Sequence, residues 1–423
     1  MKILIYCLPA FTFAIPTFPV MILLPALYAE KYSLSIVSIG IAIFFGKILD
    51  IMSDPLMGWI TDKGFLKRKI WIVVGGILSG LSLYSLFIPL INPNFFYLLI
   101  CISCLYIGWT MFQVPYLSFG YDLVTEYEER TKLSAVREFF VLLALTTSVS
   151  LPFILDFDYT LEEMITYLAI VSGFISLTLY CLFLKEPNRI LINKDKINFR
   201  SIVKNFVFLK FILVWFINSL ANVFPMILFV FYLTYVIGGN EEIREIVLLY
   251  YFVSAILGIP IWVYLGRYID KKIIWMLSLS LSAFFFIFIF LLNEGDITYF
   301  ILIASLTGLC LGADLALPPS MLSDLNDHHK KHFNQDISGL LFSLLTLISK
   351  LAFAISSIIS FTILDKLGLQ EPSGPSQNSK QAITILYAGF PIFLKFLACY
   401  FLNSYSVTKD NVKKIQKTFM TKI

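Results

Sequence analysis

Charge is scarce in this chain: of its 423 residues, 14% are Asp, Glu, Lys or Arg, against about 25% in soluble domains. Histidine is rarer still, with three residues, and the six cysteines are scattered apart from Cys101 and Cys104. No polar stretch is long enough to build a water-soluble domain. These absences exclude a soluble enzyme, a nucleic-acid binder and a disordered tail protein. Cys101-x-x-Cys104 has no second pair and falls in an apolar run, so small apolar thiols explain it better than zinc or redox chemistry. His328, His329 and His332 are expected in a hydrated loop with Asp324 and Asp327 rather than in a metal site. What abounds is apolar: 58% of residues are hydrophobic, with 41 Phe and 22 Tyr.

A helix that crosses the hydrocarbon layer needs about 20 mostly apolar residues. Twelve segments qualify, near 4–28, 34–60, 70–91, 95–121, 133–155, 163–184, 206–237, 246–269, 273–293, 298–322, 337–364 and 382–404. No alternation of polarity marks a barrel. The first segment has no basic leader beyond Lys2 and runs on into a second span, unlike a cleaved signal peptide. With the N-terminus inside, 23 of the 32 Lys and Arg fall in inner loops and the tail and four outside. The outer loops hold acids such as Asp156, Asp158 and Glu241. Basic residues collect on the cytoplasmic side, so both termini are expected there, in a multi-pass protein of the cell (inner) membrane. The other five basic residues, Lys47, Arg137, Lys210, Lys350 and Lys395, lie in spans. A mid-bilayer charge costs about 2.5–3.5 kcal/mol, which marks such residues as functional candidates. Lys210 and Lys395 are expected only to snorkel.

The longest polar stretch between spans, 186–204, divides the chain into an N-terminal six-helix bundle (1–187), a cytoplasmic linker (188–204), a C-terminal six-helix bundle (205–405) and a basic tail (406–423). The tail is expected at the anionic lipid surface. Gly58, Asp62 and Lys63 recur 208 residues later as Gly266, Asp270 and Lys271, and Pro115 before Asp122 is echoed by Pro318 before Asp324. Such a repeat predicts two pseudo-symmetric bundles with a site between them near the midplane. The Gly58-x-x-x-Asp62-Lys63-x-Gly64 pattern resembles the loop 2–3 motif of the major facilitator superfamily. It casts Gly58, Asp62, Lys63, Gly266 and Asp270 as gating residues. Gly58 lets two helices approach, and Asp62 can cap a neighbouring helix N-terminus.

The second span reads Gly46-Lys47-Ile-Leu-Asp50-Ile-Met-Ser53-Asp54-Pro55. At about 100° per residue, Lys47, Asp50 and Asp54 fall within roughly 60° of one another. Two carboxylates so close in a low dielectric need a cation or a proton between them. Lys47 neutralises one, which leaves a net negative site for Na⁺, Li⁺ or H⁺. A closed structural salt bridge is the blander alternative, an expensive way to hold a helix.

This segment resembles the second-helix motif of the glycoside–pentoside–hexuronide cation symporters, the melibiose permease family, with Ser53 where that family carries Asn. The resemblance continues through Thr110-Met-Phe-Gln113-Val-Pro115-Tyr116, Glu129-Arg130-Thr131, Arg137, the stretch around Asp314 and Lys350. It implies twelve transmembrane helices in the major facilitator fold, with Asp50, Asp54, Thr110 and Ser53 binding the coupling cation (Na⁺ at Asp50 and Asp54 if sodium is used). Lys350 would sit beside them as an electrostatic competitor, with Lys47 as the second charge-coupling residue.

The family's sugar permeases grip sugar hydroxyls with aspartates in helices 1 and 4; Ala14 and Gln113 stand there instead. The candidate substrate residues are Trp109, Gln113, Tyr116, Arg137, Asn218, Asn222 and Asp314. An Arg137 without those carboxylates would favour an anionic group, and Asp314 either pairs structurally or relays protons. The function so implied is Na⁺- or H⁺-coupled symport of a small solute, sugar-like or an organic anion, by alternating access, with no enzymatic chemistry and no cofactor beyond the coupling ion. The expected partners are that solute and the bilayer, with the monomer as the working unit. The rivals are a sodium-dependent lysolipid carrier and a non-transporting membrane sensor.

Overall fold

The computed structural model describes all residues except 18–19, 21–23, 155–160, 187–204, 334, 367–375 and 421–423. The 188–204 linker, Asp156 and Asp158 therefore lie outside the described residues. All regular structure among the described residues is helical. In chain order the helices are α1 (Lys2–Ala14), α2 (Leu24–Glu30), α3 (Ile36–Lys63), α4 (Arg68–Phe87), α5 (Phe95–Leu123), α6 (Tyr127–Ile154), α7 (Leu161–Phe183), α8 (Phe206–Tyr232), α9 (Glu241–Leu265) and α10 (Lys271–Ile287). They continue as α11 (Ile297–Phe333), α12 (Ser338–Lys366), α13 (Gln377–Thr384), α14 (Phe390–Asn403) and α15 (Lys409–Met420).

Nine of the described helical stretches are long and apolar enough to cross a membrane, so the chain is a multi-pass membrane protein. Helix α3 is 28 residues long and stands outside that group, with Lys47, Asp50 and Asp54 in its middle. The first expected span appears as two described helices, α1 and α2. Short π-helical turns, Leu233–Ile237 after α8 and Ile385–Gly389 between α13 and α14, extend two spans.

Local chemistry sets the helix ends. The Ser35 side chain accepts from the Ser38 amide at the start of α3, and Gly64, at φ 67°, ends it; only a residue without Cβ takes that conformation freely. Asn94, Asn205 and Asn240 cap α5, α8 and α9 through the amides of Tyr97, Phe208 and Ile243. Each cap satisfies a donor that the helix itself leaves open.

The chain divides into two compact units. The first comprises Met1–Ile197 and Asn326–Leu344, the second Asn198–Leu325 and Leu345–Ile423. In the first unit the Tyr6 and Tyr116 rings stack 4.5 Å apart, and each hydroxyl donates to the other's carbonyl, at 2.9 and 2.8 Å. In the second, Tyr232 stacks on Tyr387 at 4.4 Å.

The three histidines are not in a loop. Helix α11 runs on through Phe333, eleven residues past the expected end of its span. Buried ion pairs hold this extension: Lys271 donates to Asp324 at 2.6 Å in the second unit, and Arg130 donates to Asp327 at 2.7 Å in the first. The tail is not free chain either. Helix α15 buries Val412 and Ile415, and the backbone N–H of Lys409 donates to Asp270 at 2.9 Å.

Candidate functional site

Helices α3 and α5 bring four oxygen-bearing side chains of the first unit to one point. The Thr110 hydroxyl lies 2.9 Å from Asp54 Oδ1 and 3.3 Å from Asp50 Oδ1, and it accepts from Ser53 Oγ at 2.9 Å. Asp50 is 4% exposed, and Asp54 and Thr110 are each 1% exposed. Thr110 has a single hydroxyl proton to offer, so it serves one carboxylate oxygen at a time. The other carboxylate oxygen then needs a different donor or a positive charge, since a buried charge costs several kcal/mol. A small cation that prefers oxygen ligands, or a proton on one carboxyl, relieves the conflict. Among the described residues no group of three or more His, Cys, Asp or Glu is placed to hold a metal ion.

Lys47 stands at the edge of this cluster. Its Nζ is 3.8 Å from Asp50 Oδ2 and 4.3 Å from the centre of the Tyr106 ring. The stripe of charge expected on this helix is therefore a physical cluster, and Ser53 and Thr110 belong to it.

At its far end α3 meets the start of α12, within the first unit. Asp62 accepts from the backbone amides of Gly339 at 2.9 Å and Leu340 at 2.7 Å, capping α12 with a carboxylate where the helix dipole favours negative charge. A Cβ on Gly58 would come within 2.8 Å of the Gly339 carbonyl, and one on Gly339 equally close to the Gly58 carbonyl. The two glycines are what allow this approach. Arg68 ties the junction together: it donates to Asp62 at 3.3 Å and Ser338 at 2.8 Å and pairs closely with Asp122. Lys63 rests 4.0 Å over the Trp59 ring.

In the second unit Gly266 follows the last residue of α9. Asp270 caps α15 instead of a helix comparable to α12. The repeat survives more faithfully in the ion pairs Arg68–Asp122 and Lys271–Asp324, which join the starts of α4 and α10 to the end of α5 and to α11 nine residues before its end. Sequence named Lys271 only as the repeat counterpart of Lys63, and gave Arg68 no role beyond its charge. The signal was there in the two Pro-to-Asp echoes, which put a buried carboxylate opposite a basic helix start.

Asn218, Asn222 and Asp314 come together, chiefly with one another. Asp314 accepts from Asn218 at 2.7 Å, Trp275 at 2.7 Å and Asn222 at 2.5 Å. Lys395 donates to the Asn222 carbonyl at 2.8 Å. The snorkelling expected of Lys395 is therefore wrong: it is buried, and an amide bridges it to a carboxylate. Three N–H donors occupy both carboxylate oxygens of Asp314, so a structural role fits better than a proton relay. Asp314→Ala should lower thermal stability by about 3–5 kcal/mol, the cost of orphaning a buried charge; Asp314→Ala combined with Lys395→Met should recover part of it, as read from melting temperatures in detergent.

Arg137 is not left without a carboxylate. It donates through Nε to Glu138 at 3.0 Å and pairs closely through Nη2 as well, so the argument for an anionic substrate loses its basis. Tyr116 is buried and spends its hydroxyl on Tyr6. Gln113 is exposed and Trp109 half-buried, which leaves both with surface to offer a solute. Lys350 lies half-buried on α12, in the second unit.

The profile of a family described as MFS/sugar transport protein matches residues 5–409. The human sodium-dependent lysophosphatidylcholine symporter 1 is 25% identical over 428 residues, which span 90% of this chain and 78% of that one. An uncharacterized symporter of Bacillus subtilis, YjmB, is 23% identical over 404 residues, 89% of this chain and 86% of its own. The solved fucose:proton symporter of E. coli superposes with a TM-score of 0.68 at 12% identity, over 96% of this chain and 98% of that one. An outward-facing bacterial homologue of the iron transporter ferroportin gives 0.72 at 14% identity, over the same shares of the two chains. These two superpositions show the major facilitator fold.

Proposed function

The chain belongs to the MFS/sugar transport protein family, and on that premise we propose that it is a cation-coupled symporter that moves a small solute by alternating access. It is a transport protein and not an enzyme. The observation that carries the reading is the convergence of Asp50, Asp54, Thr110 and Ser53 on one buried point. Two carboxylates with two hydroxyls beside Lys47 form an oxygen donor set that suits Na⁺ or H⁺. The cation enters with the solute because the empty, charged site is the costly one. The distribution of Lys and Arg supports cytoplasmic termini in a cell-membrane protein.

Trp109 and Gln113 are the residues we assign to the solute, with a ring face for an apolar or sugar surface and an amide for a hydroxyl. An amphiphile is the second reading. It is favoured by the lysophosphatidylcholine symporter relatives and by Ala14 and Gln113 standing where the sugar permeases carry carboxylates. A thermal-shift screen of the purified protein against sugars, organic anions and lysolipids, with and without Na⁺, tests both. A sugar that stabilises the protein more in Na⁺ or at lower pH supports the first reading, and stabilisation by lysolipids alone moves the assignment to the second. Stabilisation by organic anions alone would reassign the solute away from Trp109 and Gln113, and no cation-linked hit in any class counts against the proposal as stated.

A further inference from the structure

Tyr106 is almost fully buried, one helical turn before Thr110 on α5, and its ring faces the cation cluster. Residue 46 on the facing helix is glycine. A Cβ there would lie 3.0 Å from Tyr106 Cδ2 and 3.3 Å from an Ile102 methyl, so the missing side chain is what seats the ring against α3. The ring also meets Trp109 in an edge arrangement, with centroids 5.6 Å apart and planes at 71°. Lys47, the next residue along α3, lays its ammonium over this ring at 4.3 Å while standing 3.8 Å from Asp50. Its side chain keeps 32% of its surface exposed, so it can move where the ring cannot.

We infer that Tyr106 is a positioning residue for Lys47. Its ring face holds the tethered ammonium off Asp50 and so sets how tightly the coupling cation binds. The inference rests on the cation-site reading above. Lys47 and the mobile cation compete for the same carboxylates. An aromatic face attracts an ammonium through its quadrupole, and whatever attraction the ring supplies is withdrawn from the Lys47–Asp50 contact. Remove the ring face, and the ammonium settles on Asp50, where the mobile cation must displace it. Because Trp109 packs edge-on against the same ring, a solute touching Trp109 has a direct mechanical route to the lysine.

The test titrates purified full-length protein with Na⁺ at fixed pH and with acid at zero Na⁺, and follows whichever cation raises the melting temperature. Tyr106→Leu should raise the half-saturating cation concentration about tenfold, whereas Tyr106→Phe, which keeps the ring face, should stay within about twofold of the native protein. In a Lys47→Gln background the Leu substitution should no longer matter. Should Tyr106→Leu not yield folded protein, Tyr106→Met fills similar space without a ring and takes its place. Equal shifts in the Leu and Phe variants, or a Leu effect that persists without Lys47, overturns the inference. Asp54→Asn measured alongside separates the two levels. If it still responds to the cation as the native protein does, the cation site itself is misassigned; if it is blind while the position 106 variants are unaltered, only the role of Tyr106 falls.

Discussion

Asp54→Asn should abolish the dependence of uptake on a Na⁺ or H⁺ gradient while leaving the protein folded and in the membrane. The charge count gives the reason. Asp54 supplies one of the two buried carboxylates beside Thr110, and asparagine there removes its charge, so the attraction for a mobile cation falls. The amide keeps the shape of the carboxyl and can accept the Thr110 hydroxyl, which now lies 2.9 Å from Asp54. Packing loss is therefore small. Solute exchange down its own gradient should persist, because that step needs no stored ion energy. The check is uptake of the identified solute into proteoliposomes with and without an imposed gradient. Gradient-driven accumulation at the native level in the variant would remove Asp54 from the cation site. Asp50→Asn should be more damaging to stability, because it also strips Lys47 of the carboxylate 3.8 Å away.

The second large effect is expected at Asp62. Its carboxylate caps α12 through two backbone amides and also accepts from Arg68. Asp62→Ala removes a cap, worth about 0.5–2 kcal/mol, and takes from the buried Arg68 guanidinium one of its two carboxylate partners, leaving the close pair with Asp122. Residues 326–344 should then leave the Gly58 end of α3 more often. Ser343, fully buried and packed beside Gly58, reports it: a Ser343→Cys probe should react with a thiol reagent several-fold faster in the Asp62→Ala background than in its absence. Unchanged labelling would mean that the junction is a passive helix contact and not a gate. Asp270→Ala should act on a different element, releasing α15. Protease sensitivity of the tail, rather than labelling at Ser343, is where that variant should show.

The charged cluster on α3 was largely legible in the sequence. Lys47, Asp50 and Asp54 are separated by three and four residues, and helical geometry alone puts such residues on one face. Charges are so costly in a hydrocarbon layer that three of them in one span draw attention at once. Thr110 and Ser53 were reached through resemblance, since a hydroxyl in a span is cheap and common. Tyr106 was invisible because an aromatic residue in a span is the ordinary case; only the absence of a side chain at Gly46 gives its ring a lysine to carry. Arg137 and Lys395 were misjudged for one reason. Whether a lone basic residue in a span is starved or paired depends on a partner that spacing does not reveal, and here Arg137 found its neighbour Glu138 while Lys395 reached Asn222, more than 170 positions away.

By itself the sequence determined the class of molecule, the helical spans and the face of α3 that bears charge, because burial in lipid and the 3.6-residue period act locally on the chain. Its repeat placed equivalent acids at the ends of equivalent spans. Only the tertiary structure decided what each acid does: Asp62 caps α12 and Asp270 caps the tail helix, though both sit in the same motif. The physical reason is that a carboxylate binds whichever donor the packing delivers, and packing joins residues hundreds of positions apart. Charge announces a site from sequence, and the neighbour that answers it comes from the fold.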